Sequence, residues 1–109
     1  MLPQANRLPT PEIRVLLGKG KRIQIPSLQL VYTKNNVTTS RFAFIVSTKI
    51  DKRATARNRI RRLLRESVRL LLPNLPSGFD VVLIVKNKNV GEDIIEVKPM
   101  VEELFKKMS

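Results

Sequence analysis

Residues 49–69, KIDKRATARNRIRRLLRESVR, constrain this chain more than any other stretch. Ile60, Leu63, Leu64, Val68, Leu71 and Leu72 recur at helical spacing. At about 100° per residue they fall in one arc, which reads as a helix stripe that must be buried. Asn58, Arg59, Arg62, Arg65 and Arg69 fall on the opposite side, while Arg57 and Arg61 lie nearer the stripe at its N-terminal end. The same stretch carries nine Lys or Arg, seven of them Arg, against only Asp51 and Glu66. Arg offers a planar fork of donors that matches phosphate oxygens and can stack on bases, whereas Lys is a flexible point charge.

This charge runs against helix electrostatics. A helix N-terminus is partially positive and favours Asp or Glu, yet the first turns here hold Arg53, Arg57, Arg59, Arg61 and Arg62. Like charges repel, so the cluster costs stability unless an anion neutralises it. A solvated basic face is the alternative reading. Such a face usually intersperses acids, and this one barely does, which favours a polyanion site.

The remaining composition narrows the partners and the chemistry. With 109 residues, 42% of them hydrophobic, the chain can build one modest core, and a single domain over 1–109 is expected. A net charge of +12 points first to nucleic acid and second to an anionic membrane. No apolar run approaches the roughly 20 residues that span a bilayer, and no signal-peptide core follows Met1, so the cytoplasm is the expected compartment. Cys and His are absent, which removes disulfides, thiol nucleophiles, zinc–thiolate sites and the commonest general base. The nine acids show no paired-carboxylate motif. Any catalysis this protein takes part in is expected to be carried by something else.

Taken in order, residues 1–9 hold two prolines and read as extended. Thr10-Pro11-Glu12 signals a helix start, with Thr10 as N-cap. That helix runs through Ile13, Leu16 and Leu17 and stops at Gly18 and Gly20. Ile23 and Ile25 suggest a short strand. Residues 28–33 suggest a second, with Leu28, Leu30 and Tyr32 on one face. Residues 41–48, RFAFIVST, form a third, with Phe42, Phe44 and Val46 toward the core and Arg41, Ala43, Ile45 and Ser47 available to line a groove. The basic helix spans about 53–72. Residues 79–86, FDVVLIVK, read as a central strand buried on both faces and parallel to the third. A polar, basic loop spans 86–91. A last helix is expected over about 98–108 with Pro99 in its first turn, after an irregular turn. The order is αβββαβα, an α+β fold.

Three segments, RFAFIVSTK, ARNRIRRLLRES and GFDVVLIV, in this order resemble the protein component of bacterial ribonuclease P. Arg57-Asn58-Arg59, followed by Ile60, Arg61, Arg62, Leu63 and Arg65-Glu66, matches that family's RNR signature. The resemblance covers nearly the whole chain. It implies an α/β sandwich related to a domain of a ribosomal protein, with a left-handed strand–helix–strand crossover. It implies an accessory role, in which a catalytic RNA removes the 5′ leader of precursor tRNA using Mg²⁺ held mainly by the RNA. Lys49, Lys52, Arg53, Arg57, Asn58, Arg59, Arg61, Arg62 and Arg65 would contact the catalytic RNA. Ile13, Leu17, Val31, Arg41, Ala43, Ile45 and Ser47 would line a groove for the leader. Ile13 and Leu17 are aliphatic where the family often has Phe, Val31 stands where an aromatic is common, and Thr48 replaces a frequent Lys.

The implied partners are therefore the catalytic RNA and the precursor tRNA leader, with neither membrane nor DNA expected. Two other functions suit the size and charge. One is a structural, ribosomal-type RNA-binding protein with no part in catalysis. The other is a free-standing nuclease, which the missing His, Cys and carboxylate cluster oppose, although Asp51 or Glu66 could touch an RNA-held metal. A membrane-surface helix is disfavoured because the apolar stripe shows no Trp or Phe.

Overall fold

The computed structural model describes residues 2–108; Met1 and Ser109, the outer bounds of the expected domain, lie outside them. The main elements are α1 (Thr10–Lys19), β1 (Lys21–Gln24), β2 (Leu28–Lys34), β3 (Arg41–Ile45), α2 (Ala54–Leu71), β4 (Phe79–Val85) and α3 (Ile94–Lys106). This is the expected αβββαβα order and an α+β fold. The sheet runs β1-β2-β4-β3. β4 is antiparallel to β2 and parallel to β3, as the strand–basic helix–strand unit requires.

Strand alternation divides the apolar residues between two faces. Leu28, Leu30, Tyr32, Phe42, Val81, Leu83 and Val85 point to the larger core, where Leu64, Val68 and Leu71 of α2 meet Val97, Val101, Leu104 and Phe105 of α3. Each fully buried Leu or Val there contributes about 1.5–3 kcal/mol relative to exposure. The rings of Phe42 and Phe105 meet edge to face at 5.8 Å, which ties β3 to α3. On the other face, Val31, Ala43 and Val82 pack with Leu8 and Leu16 beneath α1.

The structure departs from the sequence expectations in several places. The N-terminal segment is not simply extended. It makes a 3₁₀ turn at Gln4–Asn6, and Leu2 and Leu8 are buried in the two apolar clusters. Leu8 N–H donates to the Phe42 carbonyl at 2.9 Å, so this segment covers the start of β3, an otherwise open edge. The N-cap of α1 is Pro9, not Thr10, and no side chain caps it. β3 ends at Ile45, because the Ser47 carbonyl accepts from Ile50 N–H at 3.0 Å and closes a turn into α2.

The last helix begins at Ile94, with Pro99 inside it. Asp93 caps it by accepting from Glu96 N–H at 3.1 Å, a signal visible as Asp93-x-x-Glu96. A proline deprives only the carbonyl four residues back of its helical donor. Here that carbonyl belongs to Ile95, a residue 79% exposed on the solvent side.

Of the two glycines expected to stop the first helix, only Gly20 does so. Gly18 is inside α1, with nothing within 4 Å of where a Cβ would stand. Gly20 ends the helix with φ −72°, so it is not there for a left-handed conformation. A Cβ at Gly20 would lie 2.7 Å from both Leu16 Cδ1 and Val31 Cγ1. Close approach of the chain to β2 is what requires it. Gly20→Ala is therefore expected to destabilise the protein by about 1–3 kcal/mol through overpacking. Gly18→Ala is expected to stabilise it by about 0.5–1 kcal/mol through helix propensity. Urea unfolding of the two variants beside the wild type checks both signs.

Candidate nucleic-acid interface

Helix α2 seats its apolar stripe between the sheet and α3, which turns its cations outward. Its first turn contains no acid, and its N-cap, Arg53, supplies no side-chain acceptor. The nearest negative charge precedes the helix. Asp51 accepts from Arg53 N–H at 2.9 Å and pairs with the Arg53 guanidinium at 3.0 Å. These hydrogen bonds, the side-chain one foremost, hold the Asp51 carboxyl down from 3.8 to about 2.

The arginines divide into anchored and free groups. Arg57 Nη1 donates to the carbonyls of Asp51 and Lys52, at 3.0 and 2.9 Å, and so fastens the helix to the loop before it. Arg61 donates to Asn58 Oδ1, and Arg69 pairs with Glu66, whose carboxyl it holds below its ordinary range. Among the described residues, the side chains of Lys49, Lys52, Arg59, Arg62 and Arg65 make no hydrogen bond or ion pair within the protein. Arg59 and Arg62 are exposed. Arg65, placed on the solvent side by the helical wheel, is instead half-buried, in line with Arg57 and Arg61 at intervals of four residues. It lines one cleft with Leu2 and Arg7 of the N-terminal segment and Phe42 and Phe44 of β3.

The fold also brings up a cation that the helix periodicity could not reveal. The loop after β4 places Lys88 beside Arg53 and Arg59, across a cleft of about 510 Å³. Its only trace in the sequence is the basic character of residues 86–91.

The expected groove residues meet on the α1 face of the sheet, but not all reach solvent. Ile13 and Leu17 of α1 and Ile45 of β3 are half-buried and pack on the smaller apolar cluster. Ile84 of β4 is half-buried beside them; reading β4 as buried on both faces concealed it. Val31 is 0% exposed and Ala43 is buried, so both lie under the groove rather than on its surface. Ser47 is exposed in the loop beyond β3. Arg41 is engaged by two carboxylates. Its guanidinium bonds Asp80 at 2.8 and 2.9 Å and Glu12 of α1 at 2.9 Å, so it clamps α1 to the sheet. The hydrogen bond to Asp80 is the main cause that raises its pKa further.

Comparison with known proteins gives one consistent family. Residues 2–109 match the family model described as Ribonuclease P. The ribonuclease P protein component of Caldanaerobacter subterraneus is 37% identical over 98 residues, 90% of this chain and 84% of that protein. The Synechocystis ribonuclease P protein component is 33% identical over 106 residues, 95% of this chain and 86% of that one. The solved RNase P protein of Thermotoga maritima superposes with a TM-score of 0.84 at 28% identity, covering 94% of this chain and 97% of that one.

The Asp51–Arg53 pair makes a pH prediction. The folded-state pKa of Asp51 is depressed, so the stability it contributes is complete above 3.8 and is lost as pH falls through about 2. Wild type is expected to melt higher than Asp51→Asn above pH 3.8, with the difference closing as pH falls to about 2. Thermal unfolding followed by circular dichroism at stepped pH measures it.

Proposed function

We propose how this chain, which belongs to the ribonuclease P protein family, performs its part: the arginine face of α2 docks on the catalytic RNA while the α1 face of the sheet holds the precursor tRNA leader. The protein is the RNA-binding subunit of ribonuclease P, the endoribonuclease that removes the 5′ leader from precursor tRNA. The alternative of a ribosomal-type RNA-binding protein outside catalysis is not favoured, because the relatives matched are ribonuclease P protein components.

One observation carries the docking surface. Arg59, Arg62 and Arg65 have no acid partner among the described residues, and the first turn of their helix contains no acid. RNA phosphates supply the missing negative charge. A-form RNA hides its major-groove edges, so such a helix recognises phosphate geometry and junction shape more than base sequence. Lys49, Lys52, Arg53 and the anchored Arg57, Asn58 and Arg61 border this face, and Lys88 extends it.

On the other face, Ile13, Leu17, Ile45 and Ile84 form the floor and wall of the leader groove. Val31 and Ala43 support that floor from below, Ser47 stands at its mouth, and Arg41 holds α1 at the spacing that keeps the groove open. Contact there is apolar packing against sugar and base faces without aromatic stacking from these positions.

The donor set does not fit a resident Mg²⁺. Among the described residues no group of three His, Cys, Asp or Glu could hold a metal, and Asp51 and Glu66 are each engaged by an arginine. The chain's contribution is electrostatic. Catalytic RNA and precursor tRNA repel each other, and a protein of charge +12 touching both offsets that repulsion and lowers the Mg²⁺ needed. No described helix is long and apolar enough to cross a membrane.

The test is 5′ cleavage of precursor tRNA by the cognate catalytic RNA at low Mg²⁺. Wild-type protein is expected to restore cleavage. An Arg59→Ala, Arg62→Ala variant, altering exposed residues outside the core, is expected to lose much of that rescue. Its RNA affinity should also depend less on salt, by roughly 1.5 in the log–log slope. A wild-type protein that binds RNA yet leaves the Mg²⁺ dependence unchanged would overturn the proposal.

A further inference from the structure

The even-numbered side chains of β3 open onto a second cleft, on the opposite face of the sheet from the leader groove. It has a volume of about 220 Å³ and is lined by Leu2, Arg7, Phe42, Phe44 and Arg65. Phe42 is buried at its base, edge-on to Phe105, whereas Phe44 is only partly buried and leaves part of its ring accessible. Arg7 is held in place, because Nε and Nη2 both donate to the Leu2 carbonyl at 3.1 and 2.9 Å. Arg65 is half-buried and has no hydrogen bond or ion pair among the described residues. Among the described residues no acid lines the cleft.

Two guanidinium groups lining one cleft with no carboxylate beside them repel each other, and a large ring left partly in water is also unfavourable. One ligand relieves both: an unstacked nucleobase lying on the ring with its phosphate against the arginines. Bases in RNA loops and bulges can be splayed out in this way, and aromatic rings and guanidinium planes stack on them. The cleft opens beside Arg65, in line with Arg57 and Arg61 of α2, so its RNA is the one that α2 docks on. The leader groove is reached from the other face, by Ile45 and its neighbours.

We propose that this cleft takes one unstacked base of the catalytic RNA, with Phe44 as the stacking surface and Arg7 and Arg65 at its rim. The proposal rests on the reading that α2 docks on that RNA.

The chain contains no Trp, so Phe44→Trp introduces a sole indole at the site. Titration with the cognate catalytic RNA is expected to quench its emission. Phe44→Leu, which keeps the apolar packing, is expected to bind that RNA about 5–20-fold more weakly, in line with the loss of one stacked base. Its salt slope should be unchanged, because stacking releases no counterions. Phe44→Tyr keeps the ring and should keep wild-type affinity. Thermal melts establish that each variant is folded, and if Phe44→Leu is not, the Trp and Tyr variants decide. An unquenched indole on bound protein, wild-type affinity in folded Phe44→Leu, or quenching by precursor tRNA alone would overturn the cleft. If Arg59→Ala, Arg62→Ala weakens RNA binding while the Phe44 variants are silent, only the cleft proposal fails. If that double variant also binds normally, the docking of α2 fails with it.

Discussion

Everything else in this molecule depends on how the apolar stripe of α2 is covered. Leu64, Val68 and Leu71 are buried between the sheet and α3, which leaves the helix one rotational setting. That setting turns Arg59 and Arg62 to solvent and leaves Arg57, Arg61 and Arg65 half-buried along its flank. Hydrophobic burial is non-directional, yet here it fixes a directional array of guanidinium groups. The charges oppose the helix locally, so packing must hold what electrostatics would loosen.

β3 is the second organising element because it is an edge strand with an apolar cluster on each face. Alternation sends Ala43 and Ile45 toward α1 and Phe42 and Phe44 toward α2. The N-terminal segment covers the start of its edge through the Leu8–Phe42 hydrogen bond and, through Leu2 and Arg7, walls the cleft beside Phe44. Arg41, at the strand's first residue, joins Glu12 of α1 to Asp80 of β4. One five-residue strand thus separates two surfaces and fixes the helix over one of them.

Most elements were legible because their periodicity is strong. The basic helix, the alternation of β2 and β3 and the apolar run of β4 all lie close to where the residues put them. The misreadings have local causes. An internal proline usually breaks a helix, so Pro99 suggests a first turn; the capping at Asp93 and the exposure of Ile95 make it tolerable inside the helix. Gly20 does stop α1, but without a left-handed conformation; the side chains of Leu16 in α1 and Val31 in β2 leave no room for a Cβ there. Ser47 reads as strand until its carbonyl is seen closing a turn.

The sequence by itself determined that this chain carries an amphipathic arginine helix between two apolar strands, that it has neither Cys nor His, and that its charge favours a polyanion. Those properties follow from residue type and spacing, which need no partner residue to define them. Only the tertiary structure decided which arginines are free and which are anchored, that Val31 and Ala43 are buried on the α1 face while Ile84 is half-buried there, and that Arg7, Phe44 and Arg65 share one cleft. Each of these depends on which surfaces meet across the sheet, and burial and pairing between residues far apart in the chain are not written into the periodicity of any one element.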